Sequence, residues 1–92
     1  MKMSEHVRST HSQDGAVVLD VLHGRMYRLN LVGSRMLELL KQDRTEQEIA
    51  EQLSQEFGVG RDIVAADLKE FLSHLHRNGL VETRPTMSDF SL

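Results

Sequence analysis

Residues 14–30, "DGAVVLDVLHGRMYRLN", predict a β-hairpin around which the other elements are arranged. Its segment "AVVLDVL" at 16–22 is rich in branched apolar residues and short for a helix, so it predicts a β-strand. The segment "RMYRLN" at 25–30 predicts a second strand. Between them, Leu22-His23-Gly24 predicts a three-residue hairpin loop with Gly24 in the left-handed region.

The loop length sets which side chains of this hairpin face the core, because a slip of one residue moves every side chain to the opposite face. The three-residue loop puts these residues on the inner face: Val17, Leu19, Val21, Tyr27 and Leu29. It puts these on the outer face: Val18, Asp20, Met26 and Arg28. A two-residue loop would instead bring Asp20 beside Tyr27 and Leu29. The three-residue loop is therefore the interpretation that keeps the inner face apolar.

One further strand and three helices are predicted around the hairpin. "VRSTH" at 7–11 is a short candidate strand, followed by the turn "SQDG". Asn30 is a suitable N-cap for a helix over about 31–41. "LVET" at 80–83 predicts a brief return to the sheet, and the polar segment 83–92 predicts a flexible tail.

The second and third helices carry clear start and stop signals. Thr45 and Glu48 form the pattern of a capping box, and Gly58 is a typical end for that helix. The third helix spans about 61–78 and ends at Asn78-Gly79. The predicted apolar stripes are Val32, Met36, Leu39 and Leu40, with Leu37 at the margin, in the first helix; Ile49, Ala50, Leu53 and Phe57 in the second; and Val64, Leu68, Phe71, Leu72 and Leu75 in the third.

Three strands followed by three helices predict an α+β fold, with an N-terminal three-stranded antiparallel sheet covered on one face by helices. The second and third helices are joined by the short "GVG" segment, which fits a helix-turn-helix. The expected architecture is therefore winged helix-turn-helix-like. We expect an N-terminal segment with the first strand at 1–13, a domain at 14–82 and the tail at 83–92.

Composition narrows the class of protein. The chain has 92 residues, a net charge of −3 and no cysteine, so it is expected to be a single domain without disulfides or thiolate chemistry. The opening "MKMSEHVRSTHSQ" lacks the apolar core of a signal peptide, and no apolar run is long enough to span a bilayer. We therefore expect a cytoplasmic protein without a membrane partner.

The pattern of functional side chains does not predict an enzyme. His74 and His76 are two residues apart on a helix and point in different directions, so they are unsuited to a shared metal ion. His6, His11 and His23 lie in predicted strands or turns, where surface or structural roles are the more common. No glycine-rich phosphate loop and no paired nucleophile and base are present. The expectation is a binding protein with no cofactor and no metal.

Two classes of binding remain. In the first, the third helix would enter the major groove of DNA. That helix carries Asp62, Asp67 and Glu70 against Arg61, Lys69 and Arg77, which argues against a nucleic-acid partner. In the second, an extended peptide would add a strand to the edge at 25–30. The residues alone leave this open, because Tyr27 and Leu29 would serve equally as core and Arg28 as a solubilising charge.

A family resemblance bears on that choice. The segments "DGAVVLDVLHGRMYRLNLVGSRMLELL", "TEQEIAEQLSQEFGV" and "DLKEFLSHLHRNGLVE" resemble the PqqD-like family, also called RiPP recognition elements, over about residues 14–82. The marks are the hairpin ending in "YRLN", the glycine of "LVGSRMLELL", the "TEQEI" helix start and the closing "FLSHLHRNGL". Each is degenerate alone, and their order and spacing make the resemblance specific.

The resemblance implies a noncatalytic domain that binds the N-terminal leader of a ribosomally made precursor peptide. In the family the leader lies as an added antiparallel strand along the third strand and docks against the third helix. On this chain the implied docking strand is Arg25, Met26, Tyr27, Arg28 and Leu29, and the implied groove wall is Val64, Asp67, Leu68, Phe71 and His74. Leu29, Leu68 and Phe71 also suit the core. Packing does not require Arg25, Arg28 or Asp67.

Within the family, the chain looks most like the stand-alone leader-binding proteins of lasso peptide biosynthesis. Those proteins hand the precursor to a separate leader peptidase or other modifying enzyme, which the resemblance therefore implies as a second partner. A peptide chaperone of the pyrroloquinoline quinone pathway and a winged-helix DNA-binding regulator are the alternatives.

Overall fold

The computed structural model describes residues 1–82, which form three strands followed by three helices. The elements are β1 (Val7–Ser12), β2 (Gly15–Asp20), β3 (Arg25–Leu29), α1 (Leu31–Lys41), α2 (Glu46–Phe57) and α3 (Arg61–Arg77). The predicted α+β order is confirmed. The predicted tail at 83–92 lies outside the described residues.

The three strands form one antiparallel sheet in the order β1-β2-β3, which leaves β3 at an edge. α1 lies across the inner face of β2 and packs on α2, and α2 packs in turn on α3. The outer face of the sheet stays open to solvent and carries exposed Val17, Leu19 and Met26. The helical layer therefore covers one face of the sheet only, as the sequence predicts.

The predicted register of the β2–β3 hairpin is wrong. Asp20 pairs with Arg25 and Val18 pairs with Tyr27, so the connecting loop has four residues, 21–24. Ala16, Val18 and Asp20 therefore share the inner face with Tyr27 and Leu29, and Val17, Leu19 and Val21 are exposed. Gly24 does adopt the predicted left-handed conformation, with φ of 66°.

The reason for the different register is that the Asp20 carboxylate is satisfied within the fold. Its Oδ1 accepts a hydrogen bond from the backbone N–H of His23 at 3.0 Å, and its Oδ2 lies 2.8 Å from Nδ1 of the His23 ring. A buried carboxylate is tolerated when its oxygens are paired in this way. An inner-face aspartate therefore does not exclude the register that buries Val18.

The helix signals of the sequence are confirmed. Asn30 Oδ1 accepts from the Gly33 N–H at 2.8 Å, and Thr45 and Glu48 form the reciprocal capping box. Gly58 ends α2 in the left-handed conformation. Leu37, which was predicted at the margin of the apolar stripe of α1, is instead fully buried. α1 packs against both the sheet and α2, and Leu37 belongs to the core that they form.

The segment after α3 does not join the three-stranded sheet. Val81 instead forms an isolated antiparallel bridge with Met3. The Ser4 N–H donates to Leu80 O at 3.1 Å, and the Glu82 N–H donates to Lys2 O at 2.9 Å. The predicted return of "LVET" to the sheet is therefore replaced by pairing with the N-terminal segment. Across residues 1–82, no helix combines the length and the apolarity that a membrane crossing requires.

Candidate peptide-binding site

The outer edge of β3 is the first component of the site. In an antiparallel ladder, alternate residues direct their N–H and C=O groups away from the neighbouring strand. Within residues 1–82, β2 is the strand that pairs with β3, and no backbone hydrogen bond from a loop or turn reaches residues 25–29. An edge of this kind is a template for a further strand.

The side chains of β3 alternate as the pleat requires. Tyr27 and Leu29 are half-buried and point inward, whereas Met26 and Arg28 are exposed. Met26 lies beside exposed Leu19, and Arg28 beside Val17, on the outer face. A strand added to this edge would therefore meet an apolar inner surface and a mixed outer surface.

A cleft of about 400 Å³ opens between β3 and α3 on the inner side of this edge. Its walls are Val18, Met26, Tyr27, Arg28, Leu29, Phe71, His74, Leu75 and Leu80. Val18, Leu75 and Leu80 are buried and form its floor. The lining is predominantly apolar, which suits the capture of an apolar side chain.

A second cleft, of about 420 Å³, lies between the start of α1 and α3. It is lined by Asn30, Val32, Gly33, Met36, Asp67, Glu70, Phe71 and His74. The two clefts share Phe71 and His74, so they adjoin. We call the two together the β3–α3 groove.

The spacing of α3 explains which of its side chains line the groove. Asp67, Glu70, Phe71 and His74 are three or four residues apart and therefore share one helix face. Val64 and Leu68 are only 5% and 1% exposed and lie in the core. The structure thus brings Asp67, Phe71 and His74 of the predicted wall into the groove and places Val64 and Leu68 beneath the surface.

Tyr27 connects the strand to the end of α3. Its hydroxyl donates to Asn78 Oδ1 over 3.5 Å, a long hydrogen bond to the C-cap residue of α3. A hydrogen bond with Tyr27 also holds the pKa of the exposed Arg25 guanidinium above its ordinary value. These contacts orient the tyrosine ring along the groove wall.

The two walls of the groove carry opposite charges. The strand contributes Arg28, and the helix contributes Asp67 and Glu70. Mixed charges of this kind around an apolar floor favour selectivity and correct orientation of a ligand more than raw affinity.

Part of this lining was not among the predicted site residues. Glu70 could have been found, because it shares the helix face of Asp67 and His74. Asn30 was predicted only as a helix cap and Gly33 only as a mark of the family, and their place in the groove depends on how α1 meets α3. Met36 was predicted only in the apolar stripe of α1, and it is almost fully buried yet reaches the second cleft.

Known proteins share this architecture. The structure described as "TbiB1 in Complex with the TbiA(beta) Leader Peptide" is 35% identical to this chain, with a TM-score of 0.80, covering 94% of this chain and 100% of that one. "Lasso peptide synthetase B1 complexed with the leader peptide" has a TM-score of 0.81 at 21% identity, covering 89% of this chain and 96% of that one, which shows a common fold.

No curated protein sequence matches this chain. The family described as coenzyme PQQ synthesis protein D (PqqD) matches residues 15–81, which is most of the chain and spans all three helices, β3 and β2. The predicted resemblance is therefore confirmed: the chain belongs to the PqqD family.

Proposed function

We propose that this protein binds the leader segment of a ribosomally synthesised precursor peptide and does so without catalysing a reaction on it. The observation that carries the proposal is the edge of β3, which has no strand partner on its outer side among residues 1–82 and lies directly beside the β3–α3 groove. The 35% identical relative, whose structure is described as a complex with a leader peptide, supports it.

Strand addition explains how such a site binds. A leader lying antiparallel to β3 forms main-chain hydrogen bonds with the outward-facing groups of residues 25–29, and these are independent of the leader sequence. Ordering a disordered peptide costs about 2–5 kcal/mol, so backbone pairing alone is insufficient for tight binding. Burial of leader side chains in the groove supplies the remainder.

The pleat of the added strand provides selectivity. Every second leader side chain faces inward, where Tyr27, Leu29 and Phe71 accept an apolar group. The intervening side chains face outward beside Met26 and Arg28. A basic leader residue near Asp67 and Glu70, and an acidic one near Arg28, complement the two walls.

Delivery is the second half of the proposal. By holding the leader, the protein raises the local concentration of precursor at a separate leader peptidase or other modifying enzyme in the cytoplasm. The leader-peptide complex of the 35% identical relative supports the binding on which this role depends. The cleft between α2 and α3 is lined by both acidic and basic side chains, namely Glu46, Glu51, Asp62, Arg61 and Lys69. Because this lining is not predominantly basic, it does not favour DNA binding.

The direct test is a titration of the ¹⁵N-labelled protein with the synthetic leader of the precursor encoded beside its gene, followed by NMR. Strand addition predicts large amide shifts and slowed exchange at residues 25–29, with side-chain shifts at Phe71 and His74. Saturable binding that leaves the amides of 25–29 unchanged would show that another surface is used.

Charge reversals locate the contacts more finely. Arg28→Glu and Asp67→Arg should each weaken leader binding about fivefold or more, equivalent to roughly 1 kcal/mol, while the melting temperature stays nearly unchanged. Arg8→Glu, on the opposite edge strand, and Asp62→Arg, at the start of α3, are the matched controls and should bind like the wild type. Equal losses in the controls would indicate a general effect of net charge.

A further inference from the structure

A cluster of two histidines and one aspartate lies outside the β3–α3 groove. His6 precedes β1, Asp20 ends β2 and His23 lies in the loop before β3. One ligand-competent atom from each residue lies within 4.8 Å of the other two. Asp20 and His23 are three residues apart, and the sheet brings the more distant His6 to them because Val7 pairs with Asp20 and the Val21 N–H donates to His6 O at 3.0 Å.

The three side chains converge around the buried carboxylate. Asp20 Oδ2 is 2.8 Å from His23 Nδ1, and Asp20 Oδ1 is 3.8 Å from His6 Nε2. The two imidazole rings stand edge to face with their centroids 5.7 Å apart. Asp20 is fully buried, whereas the His23 side chain is 51% exposed, so the cluster is anchored on one side and open to solvent on the other.

One nitrogen atom of this cluster differs from the others in its hydrogen bonding. Among the described residues, His6 Nε2 is shielded from solvent and has no hydrogen-bond partner, since 3.8 Å to the carboxylate is too long for a hydrogen bond. A buried polar atom without a hydrogen-bond partner is unusual in a folded protein, and a role as a metal ligand would account for it.

We propose that His6, Asp20 and His23 form a binding site for a divalent transition-metal ion, of which Zn²⁺ fits best. Two imidazole nitrogens and one carboxylate oxygen are a common three-ligand set for zinc, with water in the fourth position. Zinc–ligand bonds of about 2.0–2.2 Å in a tetrahedron hold the ligand atoms roughly 3.4 Å apart. The two measured separations, 2.8 Å from His23 Nδ1 and 3.8 Å from His6 Nε2, end at different oxygens of the Asp20 carboxylate. One ligand atom of each residue lies within 4.8 Å of the other two, so small side-chain rotations bring one oxygen and the two nitrogens to the zinc spacing.

The loop position of His23 makes this adjustment feasible. His23 lies in the four-residue loop 21–24 and is exposed, whereas Asp20 keeps its hydrogen bond from the His23 backbone N–H. Zinc would take the place of the hydrogen bond between the His23 ring and the carboxylate, and it would take Nε2 of His6 as its third ligand. A bound ion would thereby hold the loop that leads into β3.

The test is a calorimetric titration of the full chain, purified without an affinity tag, with ZnCl₂. We expect saturable binding of one equivalent and a melting temperature that rises with zinc and returns on addition of EDTA. Co²⁺ in place of Zn²⁺ should give the visible absorption of a tetrahedral N/O site. Absence of saturable binding would overturn the proposal.

Variants identify the ligands. His6→Gln and His23→Gln should each weaken zinc binding at least about tenfold. His76→Gln, an exposed histidine near the end of α3, is the matched control and should change the affinity less than about twofold. Wild-type affinity in the two cluster variants, or a loss confined to the control, would place the ion elsewhere.

A measurement on the unaltered protein covers the case in which a variant fails to fold. In the NMR spectrum of the wild type, zinc should shift the ring signals of His6 and His23 and leave those of His74 and His76 in place. The reverse pattern would overturn the assignment. Because no leader peptide is present in any of these experiments, their outcome is independent of the proposed leader binding.

Discussion

Asp20 shows how one residue decides the orientation of a hairpin. Burial by itself would raise the pKa of its carboxyl, but hydrogen bonds from the backbone N–H and ring of His23, with His6 nearby, hold that pKa below its ordinary value. The carboxylate is therefore accommodated on the inner face, and Val18 of the same strand reaches the core. Hydrophobicity alone predicts that Asp20 lies on the outer face. Its hydrogen bonds with His23 allow it to lie on the inner face instead.

Gly15 is the second residue on which the sheet depends. It begins β2 with φ of 148°, and a Cβ at this position would fall on the carbonyl oxygen of Leu29, the last residue of β3. No side chain fits there without moving the strand. The close approach of the two backbones at this point therefore requires glycine.

Gly15→Ala should lower the free energy of unfolding by about 2–4 kcal/mol, because it adds both a clash with Leu29 and a strained φ. Urea denaturation measures the change. Gly24→Ala is the control: its φ of 66° is also positive, but nothing lies within 4 Å of the added Cβ, so we expect a cost of only about 1 kcal/mol. Equal costs for the two variants would contradict the close approach.

At the scale of elements, an ion-pair cluster joins α1 to α2. The Arg35 guanidinium donates to both carboxylate oxygens of Glu56, at 3.0 and 2.6 Å, and to Glu38 at 3.1 Å. The hydrogen bonds to Glu56 and Glu38 raise the pKa of Arg35. The hydrogen bonds that Glu56 accepts, first from Arg35 and second from Gln52, lower the pKa of Glu56. The bidentate geometry and partial burial make this pair more stabilising than an exposed one.

The lowered pKa of Glu56 predicts the pH range over which it stabilises the fold. Its contribution is complete above the ordinary glutamate pKa of about 4.3 and is lost as the pH falls through the lower pKa of the folded state. Glu56→Gln should therefore reduce the free energy of unfolding by roughly 1 kcal/mol at pH 7, and the deficit should shrink below about pH 4. Chemical denaturation across pH 3–8 measures it.

Glu51→Gln serves as the control for that series. Glu51 lies 3.8 Å from Arg61, and both side chains are well exposed, so the substitution should change the stability little at any pH. A deficit for Glu56→Gln that persists unchanged at pH 3 would show that the carboxylate charge is not its cause.

At the scale of the whole molecule, the N-terminal segment and the segment after α3 close the fold together. Val81 is buried, and its bridge to Met3 places two backbone hydrogen bonds between residues 2–4 and 80–82. Met1 and Met3 pack on the edge of the core. Residues that precede β1 and follow α3 therefore contribute to the same core as the elements between them.

Val81→Ala should lower the free energy of unfolding by roughly 1–2 kcal/mol through loss of buried apolar surface, and it should speed amide exchange at Ser4 and Glu82. Hydrogen exchange with NMR detection measures both effects. Val59→Ala, at a position 37% exposed, should cost less than about 0.5 kcal/mol. Random-coil exchange at Ser4 and Glu82 in the wild type would contradict the pairing.

The sequence by itself determined the order of the elements, their caps and the family. These features are local: Asn30, Thr45 and Gly58 act on backbone groups within a few residues, and the periodicity of α3 is visible along the chain. The family resemblance implied Asp67, Phe71 and His74 as part of a groove wall, and their spacing puts them on one face of α3. The sequence indicated 25–30 as a candidate edge if the second strand lies between the first and the third, and the sheet order β1-β2-β3 meets that condition.

Only the tertiary structure decided the hairpin register, the central position of Leu37 and the extent of the groove. A strand has a side-chain period of two, so its inner face depends on a pairing partner rather than on its own pattern. The groove joins β3 and the adjoining start of α1 to α3, which lies tens of residues further along the chain. His6 likewise joins Asp20 and His23 because antiparallel pairing of β1 with β2 brings a distant position into contact with them, a relation that local spacing does not encode.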